Sequence, residues 1–424
     1  MHNNKIRIKN FGPIKEGYTD SEDGFFEIQR LSVFIGEQGS GKSTIIKLIA
    51  TFLWLEKACV RGDYQIDSFT AEHFIDLCKN QKLQDYFTQT TELAFLGTEY
   101  SFTYIQAQNS FHVQKRNAET YVRPKIMYIP SERNLLAVLE DAEKIQRIPI
   151  MLQNIIGELD SAKKTYLPEY FELHLPYHTV FFSKPQMRIF IKEKKTSAIV
   201  SLSEASSGLQ SLVPLSIVTN YLSDSVNEDV LSKLTQLSKY EKDALFPVIK
   251  DKLNIKDGSA MESLLKTFFM SGISKMIPQN VSGKLKDILK PYINSCFINI
   301  VEEPEQNLFP TSQVTILNDL LINSNKNEDN VLIIATHSPY ILSAINNYIY
   351  AKKLQTMGKR TKSISDNCLL DYTDVVAYSL EDGYVKNIMD DESKIIDTTI
   401  IDNCASQINT IYDELYVLEY ADES

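Results

Sequence analysis

The chain has 424 residues, 43% of them apolar and 23% charged, with 44 Lys and Arg against 55 Asp and Glu for a formal net charge of −11. That length suits about one to three domains with full cores and no need of disulfide or metal staples. The 15 Gly and 14 Pro are too few for a collagenous or linker-like protein, and the acidic balance excludes coating nucleic acid through bulk charge while leaving a local basic patch open.

Five cysteines, Cys59, Cys78, Cys296, Cys368 and Cys404, stand singly with no C-x-x-C pair, the pattern of a reducing compartment. Met1 to Lys9 lacks the apolar core of a signal peptide. The longest apolar stretch, Ile45 to Val60, is broken by Lys47, Glu56 and Lys57 and is too short to span a bilayer. The expectation is a cytoplasmic protein with no membrane partner.

In chain order, Ile6 and Ile8 alternate with Lys5, Arg7 and Lys9, and Phe25–Ile28 and Leu31–Ile35 add two further apolar runs, which predicts an opening sheet. The third run ends at Gly36. Ile45, Ile46, Leu48, Ile49, Phe52 and Leu53 then recur at helical spacing. Phe95 to Val113 is rich in aromatic and β-branched residues, predicting two antiparallel strands about a turn at Asn109-Ser110. Ile126–Ile129 predicts a core strand closed by Pro130, Ile148–Leu159 a helix and Met187–Ile191 a strand. After Gly208 the apolar positions Val226, Val230, Leu234, Leu237, Leu264, Leu265, Phe268, Leu285, Ile288 and Leu289 predict a mainly helical stretch. Phe297–Val301 and Val331–Ala335 are wholly apolar, as buried parallel strands are. Val375–Leu380, the turn Glu381-Asp382-Gly383 and Tyr384–Ile388 predict a hairpin, followed by a helix from about Ile396 to Leu418. Trp54 is expected in the core.

Gly36-Glu37-Gln38-Gly39-Ser40-Gly41-Lys42-Ser43 matches G-x-x-x-x-G-K-[ST] in full, between a predicted strand and a predicted helix. In such a loop the backbone N–H groups converge on phosphates, the helix N-terminus adds partial positive charge, Lys42 bridges the outer phosphates, Ser43 supplies a hydroxyl to Mg²⁺ and Thr44 lies near the inner phosphate. The strand Phe297–Val301 ends in Glu302-Glu303-Pro304. Adjacent carboxylates there place Glu302 toward the metal and Glu303 toward the attacking water. A third strand ends in Thr336-His337-Ser338, where one imidazole sits at a buried strand's tip. Ser203-Glu204-Ala205-Ser206-Ser207-Gly208-Leu209-Gln210 precedes an apolar helix; it reads either as an anion site at a helix N-terminus or as an ordinary serine N-cap.

These segments occur in the order phosphate loop, serine-glycine helix start, Glu-Glu strand and His strand, and in that order the chain resembles the ABC-type ATPases of the RecF-, Rad50- and OLD-like branch. I-K-N-F-G-P-I at Ile8–Ile14 and E-E-P-E-Q-N-L-F-P at Glu302–Pro310 look like that branch's opening strand and its Walker B with D-loop. The resemblance implies an α/β P-loop NTPase of ABC type. It would have a mixed core sheet, an antiparallel β arm and a helical insertion between signature and Walker B, divided as 1–211, 212–294 and 295–424. It implies that Ser206, Ser207, Gly208 and Gln210 form a signature motif, that Glu303, His337 and Lys42 are catalytic, and that Ser43 and Glu302 serve Mg²⁺. It also implies that two copies close head to tail around ATP.

The departures are specific. Glu302 stands where the wider family has Asp, the signature reads Ser-Ser-Gly-Leu-Gln, and Tyr128-Ile129-Pro130-Ser131-Glu132-Arg133 occupies the expected place of a Q-loop glutamine, leaving Ser131 or Glu132 to face the metal. The acidic run Asp390-Asp391-Glu392 has no partner Glu strand, so no Toprim nuclease is expected. Chains of this appearance resemble the ATPase subunits of bacterial phage-defence modules such as Septu and retrons, which implies a separate effector protein. The alternative is a repair or chromosome-maintenance ATPase that binds DNA through Lys352, Lys353, Lys359, Arg360 and Lys362 or through Lys192, Lys194 and Lys195. A transporter ATPase is disfavoured by the long insert. His174 and His178 have metal-like spacing, but Pro176 stands between them and no third ligand follows.

Overall fold

The computed structural model describes residues 4–64, 66–116, 121–138, 150–166, 171–173, 178–228, 233, 239–271, 279–289, 292–399, 410–411 and 414–416. In chain order, β1 (Asn4–Phe11), β2 (Gly17–Tyr18), β3 (Phe26–Ile28) and β4 (Leu31–Gly36) lead into α1 (Lys42–Arg61) and α2 (Ala71–Asn80). Next come β5 (Phe87–Leu96), β6 (Tyr100–Ile105), β7 (Ser110–Lys115), β8 (Pro124–Ile129), the single turn α3 (Leu135–Val138) and α4 (Ile150–Tyr166). The small strands β9 (Phe171–Glu172), β10 (His178–Ser183), β11 (Arg188–Glu193) and β12 (Ile199–Ser201) precede α5 (Ser207–Asn227), and α6 (Lys239–Lys252), α7 (Ala260–Ser271) and α8 (Gln279–Leu289) follow it. The chain then returns through β13 (Cys296–Glu302), α9 (Pro310–Ser324), β14 (Val331–Thr336), α10 (Pro339–Thr356), β15 (Val375–Glu381), β16 (Tyr384–Asn387), β17 (Met389–Asp390) and β18 (Ile395–Ile396).

Seven strands form the central sheet in the order β2-β16-β15-β4-β14-β13-β8, and β15, β4, β14, β13 and β8 run parallel. β4, β13 and β14 are buried almost end to end, as strands covered on both faces must be. Alternate side chains therefore serve two different cores. Phe34, Ile298, Ile300 and Ile333 pack with Ile45, Ile46, Ile49 and Phe52 of α1 and with the arm. Val33, Ile35, Val301 and Ile334 pack with α5, α9 and α10. Each fully buried Ile or Leu in these layers contributes about 1.5–3 kcal/mol. α1 and α5 thus lie on opposite faces of one sheet.

β3, β1, β5, β6 and β7 form the antiparallel arm, whose Phe95 and Phe102 stack on Phe52 of α1. The fold is the expected α/β arrangement, a mixed core sheet with an antiparallel arm. The segment Phe95–Val113 holds parts of three strands and not two, because a second reversal at Gly97–Glu99 precedes the one at Asn109, whose φ is +44°. Trp54 is 46% exposed rather than in the core: it projects from α1 against Tyr64 while Phe52 and Leu55 take the inner positions.

α6, α7 and α8 gather Leu245, Ile249, Leu265, Leu285, Leu289 and Ile293 into a small core of their own. A division at residue 212 falls inside α5, whose Leu212, Val213, Leu215, Val218, Leu222 and Val226 belong to the layer under the sheet. The hairpin β15–β16 turns at Asp382 and Gly383 as the sequence predicts. Ile396 pairs in β18 with Met389 instead of opening a helix; most of the predicted final helix, together with His174, Pro176, Val230, Leu234 and Leu237, lies outside the described residues. Among the described residues no helix is long and apolar enough to cross a membrane.

Candidate functional site

The ends of three neighbouring parallel strands build the site. β4 delivers the loop Gly36–Ser43, β14 delivers His337 and β13 delivers Glu302 and Glu303, the edge of a parallel sheet where ligands characteristically bind. Gly41 shows why the loop needs glycine: its φ is +107°, and an added Cβ would lie 2.6 Å from Ile14 Cδ1. Pro13 and Ile14 of the opening motif therefore press directly on the loop.

Lys42 is buried, and its Nζ donates to the carbonyls of Gly36 at 2.9 Å and Glu37 at 2.7 Å, with Ser40 Oγ at 3.5 Å. Burial pushes its ammonium down to about 8, while the charges of Glu303, Glu305 and Glu302 hold it up. That influence places the loop lysine within electrostatic reach of all three carboxylates. Thr44 is buried beside it, whereas Glu37, Gln38 and Gly39 are exposed and Ser43 is open at the first turn of α1.

Glu303 follows β13 in the left-handed region, with φ +42°, a conformation costly for a non-glycine residue and often kept for function. Its N–H donates to Ala335 O at 2.8 Å, and its Oε1 lies 3.5 Å from His337 Nε2, within ion-pair range. The hydrogen bond from His337 holds the Glu303 carboxyl below its ordinary range against the opposing effect of burial, helped by the charges of His337, Lys42 and Arg133. An ionised carboxylate held beside an imidazole can accept a hydrogen bond from a bound water and orient it for attack.

Glu302 is 4% exposed. One carboxylate oxygen accepts from Ser131 N at 3.2 Å, and Oε1 is buried with no hydrogen-bond partner. The Tyr128 hydroxyl is likewise without a partner of ordinary geometry, yet it is near enough that burial and then Glu302 push it well above its usual value. An orphaned buried carboxylate oxygen, with the Ser43 hydroxyl as a second hard donor, fits a magnesium ion that keeps most of its waters. Among the described residues no trio of His, Cys, Asp or Glu forms a ready-made metal cage.

The signature segment is placed differently. Ser206 is the N-cap of α5, but its hydroxyl makes no capping bond, so the ordinary N-cap reading is not realised. Ser207 opens the helix, and Gln210 Nε2 turns back to Ser203 O at 2.9 Å. A Cβ on Gly208 would lie 2.7 Å from Asn307 O, so the helix start packs against the backbone of the segment after Glu303. Gly36–Thr44, Glu302, Glu303 and His337 come together at the ends of adjacent strands, whereas Gly208 and Ser211 at the start of α5 meet the Gln306–Leu308 segment.

Sequence reasoning missed two residues. Glu305 Oε1 accepts from Thr336 Oγ1 at 2.8 Å and His337 N at 2.7 Å, fixing the tip that carries the imidazole. Arg133 is fully buried and bonds the carbonyls of Glu302 and Glu303. Of the two residues expected near the metal, Ser131 reaches Glu302 through its backbone, and Glu132 is exposed.

Residues 1–101 match the family model of the AAA ATPase domain, the stretch that holds the phosphate loop. Similar solved structures include the SMC head domain from Thermotoga maritima, 11% identical with a TM-score of 0.36, covering 92% of this chain and 98% of that one. An SmcHead bound to the C-winged helix domain of ScpA is also 11% identical at 0.36, covering 91% and 96%. An Smc head domain with an extended coiled coil, bound to the C-terminal domain of ScpA and derived from Pyrococcus furiosus, is 10% identical at 0.37, covering 96% and 100%. No curated protein matches the chain. At these scores the functional reading rests on the residues of the site.

Proposed function

We propose that this protein binds and hydrolyses ATP with Mg²⁺ as an ABC-type ATPase, and that two copies close head to tail around the nucleotide. The observation that carries the reading is the convergence of a complete phosphate loop, with its buried lysine, on Glu302, Glu303 and His337 at one sheet edge. Lys42 and the loop N–H groups hold the triphosphate. Ser43 and Glu302 would hold Mg²⁺ through oxygen, and the metal would supply charge neutralisation on the triphosphate. Glu303 accepts a proton from the attacking water, and His337 orients that carboxylate.

Gly208 packs on the segment that follows Glu303, and in this reading Ser207 and the Gly208 N–H cap the nucleotide of a second copy. Binding then favours the closed pair, and hydrolysis reopens it. The resemblance to phage-defence ATPase subunits supports a switch that controls a separate effector protein. DNA binding remains an outcome of the test: Lys359, Arg360 and Lys362 are exposed, although Arg360 pairs with Asp366 at 3.4 Å. Affinity for duplex that falls steeply with salt, and falls further on Lys359→Ala with Arg360→Ala, would favour a repair role.

Glu303→Gln tests the chemistry. The variant is expected to retain MgATP at wild-type affinity with turnover reduced at least about a hundredfold. Wild-type turnover in that variant removes the assignment of Glu303.

A further inference from the structure

Arg133 is among the largest fully buried side chains of the described residues, and it is charged. Its guanidinium meets backbone oxygens from three separate segments. Nη1 donates to Glu302 O at 2.6 Å and to Pro130 O at 3.2 Å, Nη2 donates to Glu303 O at 2.6 Å, and Nε donates to Ser211 O at 3.3 Å. No carboxylate oxygen is within bonding distance of it among these contacts; Glu305, Glu303 and Glu302 act on it through space, and burial pushes it down to about 10, so it stays cationic near neutrality. A buried cation satisfied by carbonyls is expensive to keep. A simple packing role needs no charge, and a planar fork with several fixed donors is what joins several carbonyls at once.

The three segments are those whose relative placement the cycle requires. Glu302 and Glu303 form the acidic turn, Pro130 ends β8 in the place expected of a Q-loop, and Ser211 lies one turn into the signature helix. Pro214 in that helix has no N–H to return to the Gln210 carbonyl, one residue before the Ser211 carbonyl that Arg133 engages. Ser211 Oγ to Gln306 Oε1 at 3.4 Å and the close approach of Gly208 to Asn307 give a second bridge between the same helix and the same turn.

We propose that Arg133 is a positioning residue that ties the signature helix to the Glu302–Glu303 turn, so that engagement of the signature by a partner's nucleotide sets Glu303 for attack within the same subunit. It touches no reacting atom and acts through the carbonyls that define the left-handed conformation of Glu303. This rests on the ATPase reading above.

Arg133→Lys keeps the charge but cannot bridge Ser211 to Glu303. In the full-length protein it is expected to leave the MgATP dissociation constant within about twofold and to lower kcat at least about tenfold with KM little changed. In a Glu303→Gln background the same substitution should change residual turnover less than about twofold, because both changes act at one step. Equal losses in both backgrounds, or an unchanged kcat, overturn the proposal. If Arg133→Lys does not fold, hydrogen exchange on the wild-type protein decides: a non-hydrolysable ATP analogue should protect 207–212 and 303–308 together, and protection of one segment without the other overturns it. A wild-type protein without ATPase activity removes the underlying reading instead, a result distinguishable from a normal wild type beside an unaffected Arg133→Lys.

Discussion

Lys42 yields a prediction that links the unliganded geometry to ATP affinity. In the free protein its ammonium is buried against the carbonyls of Gly36 and Glu37, and burial pushes it from 10.5 to about 8. A bound triphosphate surrounds the same nitrogen with negative charge and returns it toward its ordinary value. ATP binding therefore takes up a proton, and affinity is fully present well below pH 8 and falls progressively as pH rises through that value. With a free value of about 8 and a return on binding to the ordinary lysine range of about 10.4, MgATP binds about twofold more weakly at pH 8, and about tenfold more weakly at pH 9, than at pH 7. Titration calorimetry in buffers of different ionisation enthalpy should report uptake of about 0.1 proton at pH 7 and about 0.9 at pH 9. Lys42→Arg, charged throughout, should bind with a flat profile. An affinity that is constant from pH 7 to 9 in the wild type, with no proton uptake, refutes the depression of Lys42 by burial in the free protein.

Two further predictions concern packing. Glu56 is 2% exposed, and its Oε1 accepts from Glu99 N at 2.6 Å and Tyr100 N at 3.1 Å, yet burial outweighs these bonds and pushes the carboxyl up to about 7. Its folded value lies above its unfolded one, so the stability it gives by binding a proton is present below about pH 4.5 and lost as pH rises through 7, about 3 kcal/mol in all. Glu56→Gln should be more stable than wild type by about 2–3 kcal/mol at pH 8, with a much smaller difference at pH 5 in urea unfolding; a difference independent of pH contradicts this. Gly208→Ala drives a Cβ to 2.7 Å from Asn307 O and 3.3 Å from Leu308 Cδ2, which should cost about 1–3 kcal/mol of stability. Turnover should fall as well, and unchanged turnover and thermal midpoint together would show that helix and turn are not in contact.

The position of the phosphate loop between β4 and α1 was legible because its eight residues are consecutive. The positions of Glu303 and His337 at strand ends were legible because both follow apolar runs that read as buried strands. Arg133 and Glu305 were illegible for the opposite reason. Arg133 satisfies carbonyls at Ser211, Glu302 and Glu303, and a backbone carbonyl leaves no trace in residue type. Glu305 reads as one more acid in an acidic turn until Thr336 and the His337 N–H are seen to converge on it. The division at 212 misjudged α5 because helical periodicity cannot say whether a helix lies under the sheet or outside it; burial of Leu212 through Val226 in the main core answers that. Trp54 was misplaced because α1 is apolar nearly all round, so periodicity did not single out the outward position.

The most direct measurement is a crystal structure of the protein with Mg²⁺ and a non-hydrolysable ATP analogue. Lys42 should leave the Gly36 and Glu37 carbonyls for the β- and γ-phosphates, with Ser43 and Glu302 on the metal side and Glu303 facing the γ-phosphate. Ser207 and the Gly208 N–H of a second copy should close the far side of the same γ-phosphate. A triphosphate bound away from Lys42, or one whose γ-phosphate meets no Ser207 or Gly208 from either subunit, would contradict the account.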